Sequence, residues 1–223
     1  MTAATLVAQA QALVLASSLA SYPDDDLAEV IRAAAPCPAA AAALAALDAP
    51  GGVTELRARY GELFDRGGQR ASLYETEYGR MRGMGKGHAL ADIAGFYQAF
   101  GLTIDEARHE MLDHLAVELE FYAVLLLKQA ALIERDDATG VAIVASARGK
   151  FLAEHLGALA RAVAGRAEVI ADPIYASVFA WCAQLVDAEC AALGVTPAPL
   201  DFFPDEDSRS PMKCGAVQLP VVS

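Results

Sequence analysis

Apolar residues recur along most of this chain at the three- and four-residue spacing of α-helices. Helices are predicted for residues 6–20, 26–35, 39–47, 89–100, 104–134, 140–164 and 173–193, and for a further segment that holds Tyr60 and that Thr54 can cap. The last helix has a typical start, because Asp172 can accept hydrogen bonds at the N-cap and Pro173 fits the first turn. The pattern predicts an all-α, single-domain helical bundle over residues 1–200 and a proline-rich C-terminal tail over residues 201–223.

One segment departs from the helical pattern. Residues 65–88 are rich in glycine and arginine and are predicted to form a long loop, which in a compact protein is usually functional. Within it, "SLYETEYGR" (residues 72–80) alternates with period two, as strands do. The alternation leaves three possibilities: a short strand, a pair of catalytic carboxylates at Glu75 and Glu77, or a loop that binds a partner.

Composition supports helices and narrows the choice of partner. Hydrophobic residues are 55% of the chain and aromatic residues only 7%, so the core must be built from Ala, Leu and Val, of which Ala and Leu favour helices. The net charge of −12 repels phosphate backbones and excludes nucleic acid as an expected partner, whereas it favours a basic one.

The cysteines and the apolar runs indicate the compartment. The four cysteines form no CxxC pair, which predicts reduced thiols and a cytoplasmic protein. The N-terminal segment has no basic region ahead of its apolar run, and Gln9 and Gln11 interrupt that run. A core-packing first helix and no membrane span are therefore predicted.

A second constellation lies in "DHLAVELEFYAVLL", residues 113–126. His114 and Glu118 are one helical turn apart on an apolar face. They must therefore pair either with each other or with another polar group. They are either a structural pair or part of a metal site. Di-iron bundles need two ExxH motifs, and the chain offers one, Glu106 to His109. The prediction is therefore that the chain itself holds no metal and no cofactor.

Six segments in a fixed order carry a family resemblance. They are "RYGELF" (59–64), "LYETEYG" (73–79), "ADIAGFYQAFGL" (91–102), "DHLAVELEFYAVLL" (113–126), "FLAEHLGALARAV" (151–163) and "PIYASVFAWCAQLVDAE" (173–189). Over about residues 13–193 the chain resembles the TorD/DmsD/NarJ-type molybdoenzyme assembly chaperones, also called redox enzyme maturation proteins, which include the nitrate reductase delta subunit-like proteins. The family's loop motif corresponds to residues 73–76, with Leu73 in place of the usual proline. Its Asp-His-(x)3-Glu-Leu motif corresponds to Asp113, His114, Glu118 and Leu119.

The resemblance implies an all-helical, non-catalytic protein. It would bind the apo catalytic subunit of a molybdenum enzyme, or that subunit's twin-arginine leader, and delay export until the client's bis-molybdopterin guanine dinucleotide is inserted. The Glu77-Tyr78 pair that follows the loop motif resembles the branch that serves nitrate reductase and related periplasmic enzymes, such as those acting on selenate or chlorate. Whether the chaperone is a monomer or a dimer is left open.

The resemblance and the residues together predict a client-binding site. We expect an apolar groove rimmed by Glu75, Glu77, Asp113 and Glu118. The full set of candidate residues is Tyr74, Glu75, Glu77, Tyr78, Asp113, His114, Glu118 and Tyr122. Two alternatives stay open: a helical enzyme with a metal or cofactor at His114 and Glu118, and a helical subunit that remains in a mature redox complex.

Overall fold

The chain folds into a bundle of helices. The computed structural model of the protein describes residues 1–65, 71–78, 86–102 and 111–200. The α-helices in these ranges are α1 Ala3–Ala20, α2 Leu27–Ala33, α3 Pro38–Leu47, α4 Gly52–Tyr60, α5 Lys86–Ala99, α6 Leu115–Glu134, α7 Ala138–Phe151, α8 Gly157–Ala164, α9 Ala167–Ala171 and α10 Tyr175–Leu193. Across the same ranges, β structure is limited to one isolated antiparallel bridge, between Tyr74 and His114. The predicted all-α class is confirmed, whereas the predicted tail lies outside the described residues.

Helix α6 is the centre of the bundle. It packs along α1 on one side and against α7 on another, and α10 crosses α1, α3 and α8. Leu119 and Leu126 of α6 and Leu13 of α1 have no more than 1% of their surface exposed. Burial of each such side chain contributes about 1.5–3 kcal/mol, so the interface between α1 and α6 supplies much of the core.

Several predicted helix ends are confirmed to within a few residues, but α4 begins earlier than expected. It starts directly after Gly51, whose φ of 100° suits glycine, so the prediction that Thr54 caps this helix is wrong. Asp172 does cap α10, because its Oδ1 accepts from the backbone N of Ile174 and of Tyr175, both at 2.9 Å. The regular helix then begins two residues after Pro173.

The start of α6 was predicted too early. Residues 111–114 are not helical, and α6 begins at Leu115 with His114 as its N-cap. The ring Nδ1 of His114 accepts a hydrogen bond from the backbone N of Ala116 at 3.2 Å. Residues 103–110, which include the ExxH segment, lie outside the described residues.

The helix predicted over residues 140–164 contains one π-helical turn, Leu152–Leu156, between α7 and α8. Gly157 closes this turn. A Cβ at Gly157 would lie 2.4 Å from the Pro197 side chain, so the chain that follows α10 can cross here only because residue 157 has no side chain. π turns are frequent at functional sites, and this one contains Glu154 and His155.

Two helices, α1 and α10, are long and apolar enough to cross a membrane by length and composition alone. Core helices of soluble domains meet the same test. In this structure 44% of the apolar stretch of α1 and 39% of that of α10 is buried inside the bundle. The first helix therefore packs into the core as the sequence predicted.

Candidate functional site

The loop that contains residues 71–78 is hydrogen-bonded to the start of α6. Leu115 donates its backbone N–H to the carbonyl of Leu73 at 2.8 Å, and Glu75 donates to the carbonyl of Asp113 at 2.9 Å. The Asp113 carboxylate then accepts from both the backbone N and the hydroxyl of Thr76, at 3.0 and 2.7 Å. The backbone N–H of Thr76 therefore bonds to a side chain and not to a neighbouring strand. Residues 75–77 form one 3-10 turn, and the strand alternative is wrong.

Removal of the Thr76 hydroxyl tests this attachment. Thr76→Val should lower the free energy of unfolding by about 1–2 kcal/mol, because the buried Asp113 carboxylate loses one of its two bonds from Thr76. Chemical denaturation measures the change. Thr54→Val, at an exposed helical position, is the matched control and should be close to neutral. Equal stabilities of the two variants would contradict the anchoring role of Asp113.

The two glutamates of the turn have different partners. The Glu75 carboxylate bonds to Nδ1 of His155 at 3.0 Å, whereas Glu77 pairs with Lys86 at the start of α5. Two carboxylates bound to separate basic side chains do not act jointly on one substrate. The catalytic-pair alternative is therefore wrong as well.

His114 and Glu118 are both buried, but they do not pair with each other. Nε2 of His114 lies 3.4 Å from the hydroxyl of Tyr60, and its ring packs edge-on against Tyr74. The side chain of Glu118 has no exposed surface, and its carboxyl group lies against that of Glu75. Burial raises the pKa of Glu118 well above its ordinary value, and the charges of Glu75 and Asp113 raise that pKa further.

His155 is a site residue that the sequence analysis did not predict. It is 4% exposed and lies between two carboxylates, with Nδ1 3.0 Å from Glu75 and Nε2 3.1 Å from Asp92. Burial alone would lower the pKa of His155, but hydrogen bonds and charges from Glu75 and then Asp92 outweigh burial and raise it. No sequence signal could reveal this cluster, since the partners are 80 and 63 residues away and the histidine lies in an apolar run.

Most of the predicted site residues lie inside the protein. Asp113 is 2% exposed and Glu118 is 0% exposed, so the prediction that they rim a surface groove is wrong. Tyr122 is also fully buried, and its hydroxyl donates to Glu189 at 3.0 Å. The buried members of the predicted set are Tyr78, Asp113, His114, Glu118 and Tyr122, and the half-buried members are Tyr74, Glu75 and Glu77.

An apolar groove of about 990 Å³ lies beside this cluster, between α5 and α7. Phe96 forms part of its wall and also packs edge-on against His155, with ring centroids 5.7 Å apart. Ile143 lines the groove and is 61% exposed. Asp92 and Lys150 are the charged residues in the lining. Asp92 therefore belongs to both the carboxylate–histidine cluster and the groove.

Comparison with known proteins places the chain in a family. The profile of the family described as nitrate reductase delta subunit matches residues 30–164. A selenate reductase assembly chaperone protein of Thauera selenatis is 34% identical over 141 residues, which are 62% of this chain and 70% of that protein. A chlorate reductase assembly chaperone protein of Ideonella dechloratans is 33% identical over 144 residues, 64% of this chain and 72% of that protein.

These matches and the all-helical fold define the class as that of the dedicated assembly chaperones, which are not catalysts. The chain belongs to the nitrate reductase delta subunit family, and the predicted TorD/DmsD/NarJ-type resemblance is confirmed.

Proposed function

We propose that this protein is a cytoplasmic, client-specific chaperone for the catalytic subunit of a molybdenum-containing oxidoreductase. It binds the apo subunit through the N-terminal leader, assists insertion of the molybdenum cofactor, and delays export until assembly is complete. The observation that carries the proposal is the pair of relatives named as assembly chaperones, each aligned over more than 60% of this chain. The half-buried loop residues Tyr74, Glu75 and Glu77 and the groove between α5 and α7 supply a surface suited to such a client.

The size and lining of the groove fit an apolar segment of a client. A volume of about 990 Å³ is at the upper end of the range of ligand pockets, roughly 300–1,000 Å³. Phe96, Phe100 and Ile143 offer flat and branched apolar surface, as grooves that bind amphipathic helices do. The chain carries a net charge of −12, yet this lining is apolar and exposed. An exposed apolar lining of this extent is typical of a surface that binds a partner.

Charge indicates the second property of the client segment. Asp92 of the groove lies next to Glu154, and both carboxylates are exposed. A basic residue that precedes an apolar run would place its charge against these carboxylates while the run fills the groove. The acidic surface steers such a segment, and apolar contact holds it. The buried residues Asp113 and His114 act indirectly, since they fix the loop beside this end of the groove.

A matched pair of isoleucines tests the groove. Ile143→Glu should weaken capture of the apo catalytic subunit at least tenfold, because it places a charge in the apolar lining. Ile170→Glu on α9 is the control, since Ile170 is also 61% exposed but does not line the groove. Both variants should melt within a few degrees of the wild type, because neither position is buried. Tagged protein from the native host, grown under anaerobic respiration, gives the measurement by quantitative mass spectrometry of the captured catalytic subunit.

The same capture separates the proposed function from its rivals. A chaperone recovers a catalytic subunit that lacks molybdenum, in excess over its electron-transfer partners. A resident subunit would instead recover the complete mature complex in equal amounts. Equal capture of the client by the two isoleucine variants would show that the groove does not bind the client. If the wild type is a dimer and only Ile143→Glu dissociates it, the groove binds a second copy of this chain instead.

A further inference from the structure

We propose that Asp92, Glu154 and His155 bind a divalent transition-metal ion of the zinc class, which ties α5 to the π turn between α7 and α8. The metal site shares Asp92 and Glu154 with the acidic end of the client groove proposed above, but zinc binding can be measured without a client. It would add a metal-linked brace to a chain that the sequence analysis predicted to be metal-free.

The three side chains already converge. One ligand atom from each lies within 4.8 Å of the other two. Nε2 of His155 and Oδ2 of Asp92 are 3.1 Å apart. Zinc binds imidazole nitrogen and carboxylate oxygen at about 2.0–2.2 Å, so two ligands of a tetrahedral ion lie roughly 3.3 Å apart. A small rotation of the exposed Glu154 side chain therefore completes a three-ligand site with water as the fourth ligand.

The surroundings of His155 resemble the outer shell of a metal site. Glu75 holds Nδ1 at 3.0 Å, which fixes the ring orientation and directs Nε2 towards Asp92. Metal-binding histidines almost always have such a partner on the second nitrogen, commonly a carboxylate. The histidine is buried while Asp92 and Glu154 are exposed, so an ion can enter from solvent. The ion would take the place of a proton on Nε2.

The carboxyl groups around His155 supply a further reason to expect a cation there. Three carboxyl groups lie around this one imidazole: Asp92, Glu154 and Glu75. A dication at His155 offsets this excess of negative charge without entering the core.

The ligand set selects the kind of ion. Mg²⁺ prefers an all-oxygen octahedral site and keeps most of its water, whereas an imidazole with two carboxylates suits zinc or another first-row transition metal. The expected affinity is below that of structural zinc sites, because two of the three ligands are exposed and the fourth position is water.

Zinc titration of the full-length, chelator-treated protein tests the proposal. Isothermal titration calorimetry should give one Zn²⁺ per chain, and Glu154→Gln should weaken the affinity at least tenfold. Glu134→Gln, an exposed carboxyl at the far end of α6, is the control and should bind as the wild type does. Glu75→Gln should weaken zinc binding by about tenfold through the outer shell. Because Glu154 is exposed, its variant should fold normally, and that variant decides the outcome.

Cobalt(II) in place of zinc checks the identity of the ligands. A spectrum with d–d bands and no thiolate charge-transfer band is expected from nitrogen and oxygen ligands. Three results would overturn the site: no zinc binding by the wild type, unchanged affinity in Glu154→Gln, or a thiolate charge-transfer band in the cobalt spectrum.

Discussion

Arg148→Met is expected to lower the free energy of unfolding by about 3–5 kcal/mol, the largest effect of any single change considered. Removal of one partner from a buried ion pair leaves the other partner charged and uncompensated inside the protein. Arg148 is fully buried in α7, and its guanidinium pairs with Glu189 of α10, which is itself 2% exposed. Without Arg148, the Glu189 carboxylate would contact no cation among the residues that the structure describes.

The network around Arg148 joins three helices. Nη1 donates to the side-chain oxygen of Gln129 at 2.6 Å, and Nε donates to the hydroxyl of Tyr122 at 3.2 Å. That hydroxyl in turn donates to Glu189 at 3.0 Å. Methionine fills a similar volume but offers none of these donors, so the penalty falls on all three partners at once.

Chemical denaturation of two arginine variants provides the test. Arg161→Met breaks the pair with Asp187 between α8 and α10, but those side chains are 43% and 48% exposed, so the cost should be below about 1 kcal/mol. Arg148→Met combined with Glu189→Met should recover much of the loss, because no buried charge then remains. Equal losses for Arg148→Met and Arg161→Met would show that the buried network does not contribute as argued.

Local features of the fold were predictable from the sequence. Apolar periodicity placed most helices to within a few residues, since α-helices are stabilised by contacts three and four residues apart. The "YETEY" segment was correctly predicted to depart from the helices, but its alternation of Tyr and Glu left a strand as one possibility. A 3-10 turn forms instead of a strand because the Asp113 carboxylate, 37 residues away in the sequence, accepts hydrogen bonds from Thr76.

Long-range polar pairs were not predictable from the sequence. His155 and Arg148 lie in segments with the usual apolar spacing of helices, and nothing in those segments indicates their polar partners. The partners belong to distant elements of the chain. The apolar pattern correctly indicated that His114 and Glu118 are buried, but it could not show that His114 lies just outside the helix or that the two contact different groups. The structure assigns His114 to the cap of α6 and leaves Glu118 enclosed beside two other acids.

The enclosed Glu118 predicts a pH dependence of stability. A carboxyl whose pKa is raised in the folded state binds its proton more tightly there than in the unfolded chain. Its stabilising contribution is complete below the ordinary pKa of 4.5 and is lost as pH rises through the raised value. Across that window the wild type should lose roughly 1.4 kcal/mol per pH unit relative to a variant that does not titrate there.

Glu118→Gln is that variant. The amide has nearly the same shape, stays neutral at every pH, and can donate to the Glu75 carboxylate where the ionised acid cannot. We therefore expect the free energy of unfolding of Glu118→Gln, measured against the wild type, to increase from pH 5 to pH 8. The groups that face this position are Glu75 and Asp113, and His155 lies behind Glu75.

The measurement is urea denaturation of both proteins at half-unit steps of pH, with a chelator present so that no metal contributes. Glu134→Gln, at the exposed end of the same helix, should follow the wild type within about 0.5 kcal/mol at every pH. A flat difference between the wild type and Glu118→Gln would mean that Glu118 is charged at all these pH values. An ionised Glu118 could persist in this buried position only beside a cation, and that cation would lie next to the loop residue Glu75. The Glu118 proton would then have no part in stabilising the contact between the "YETEY" turn and α6.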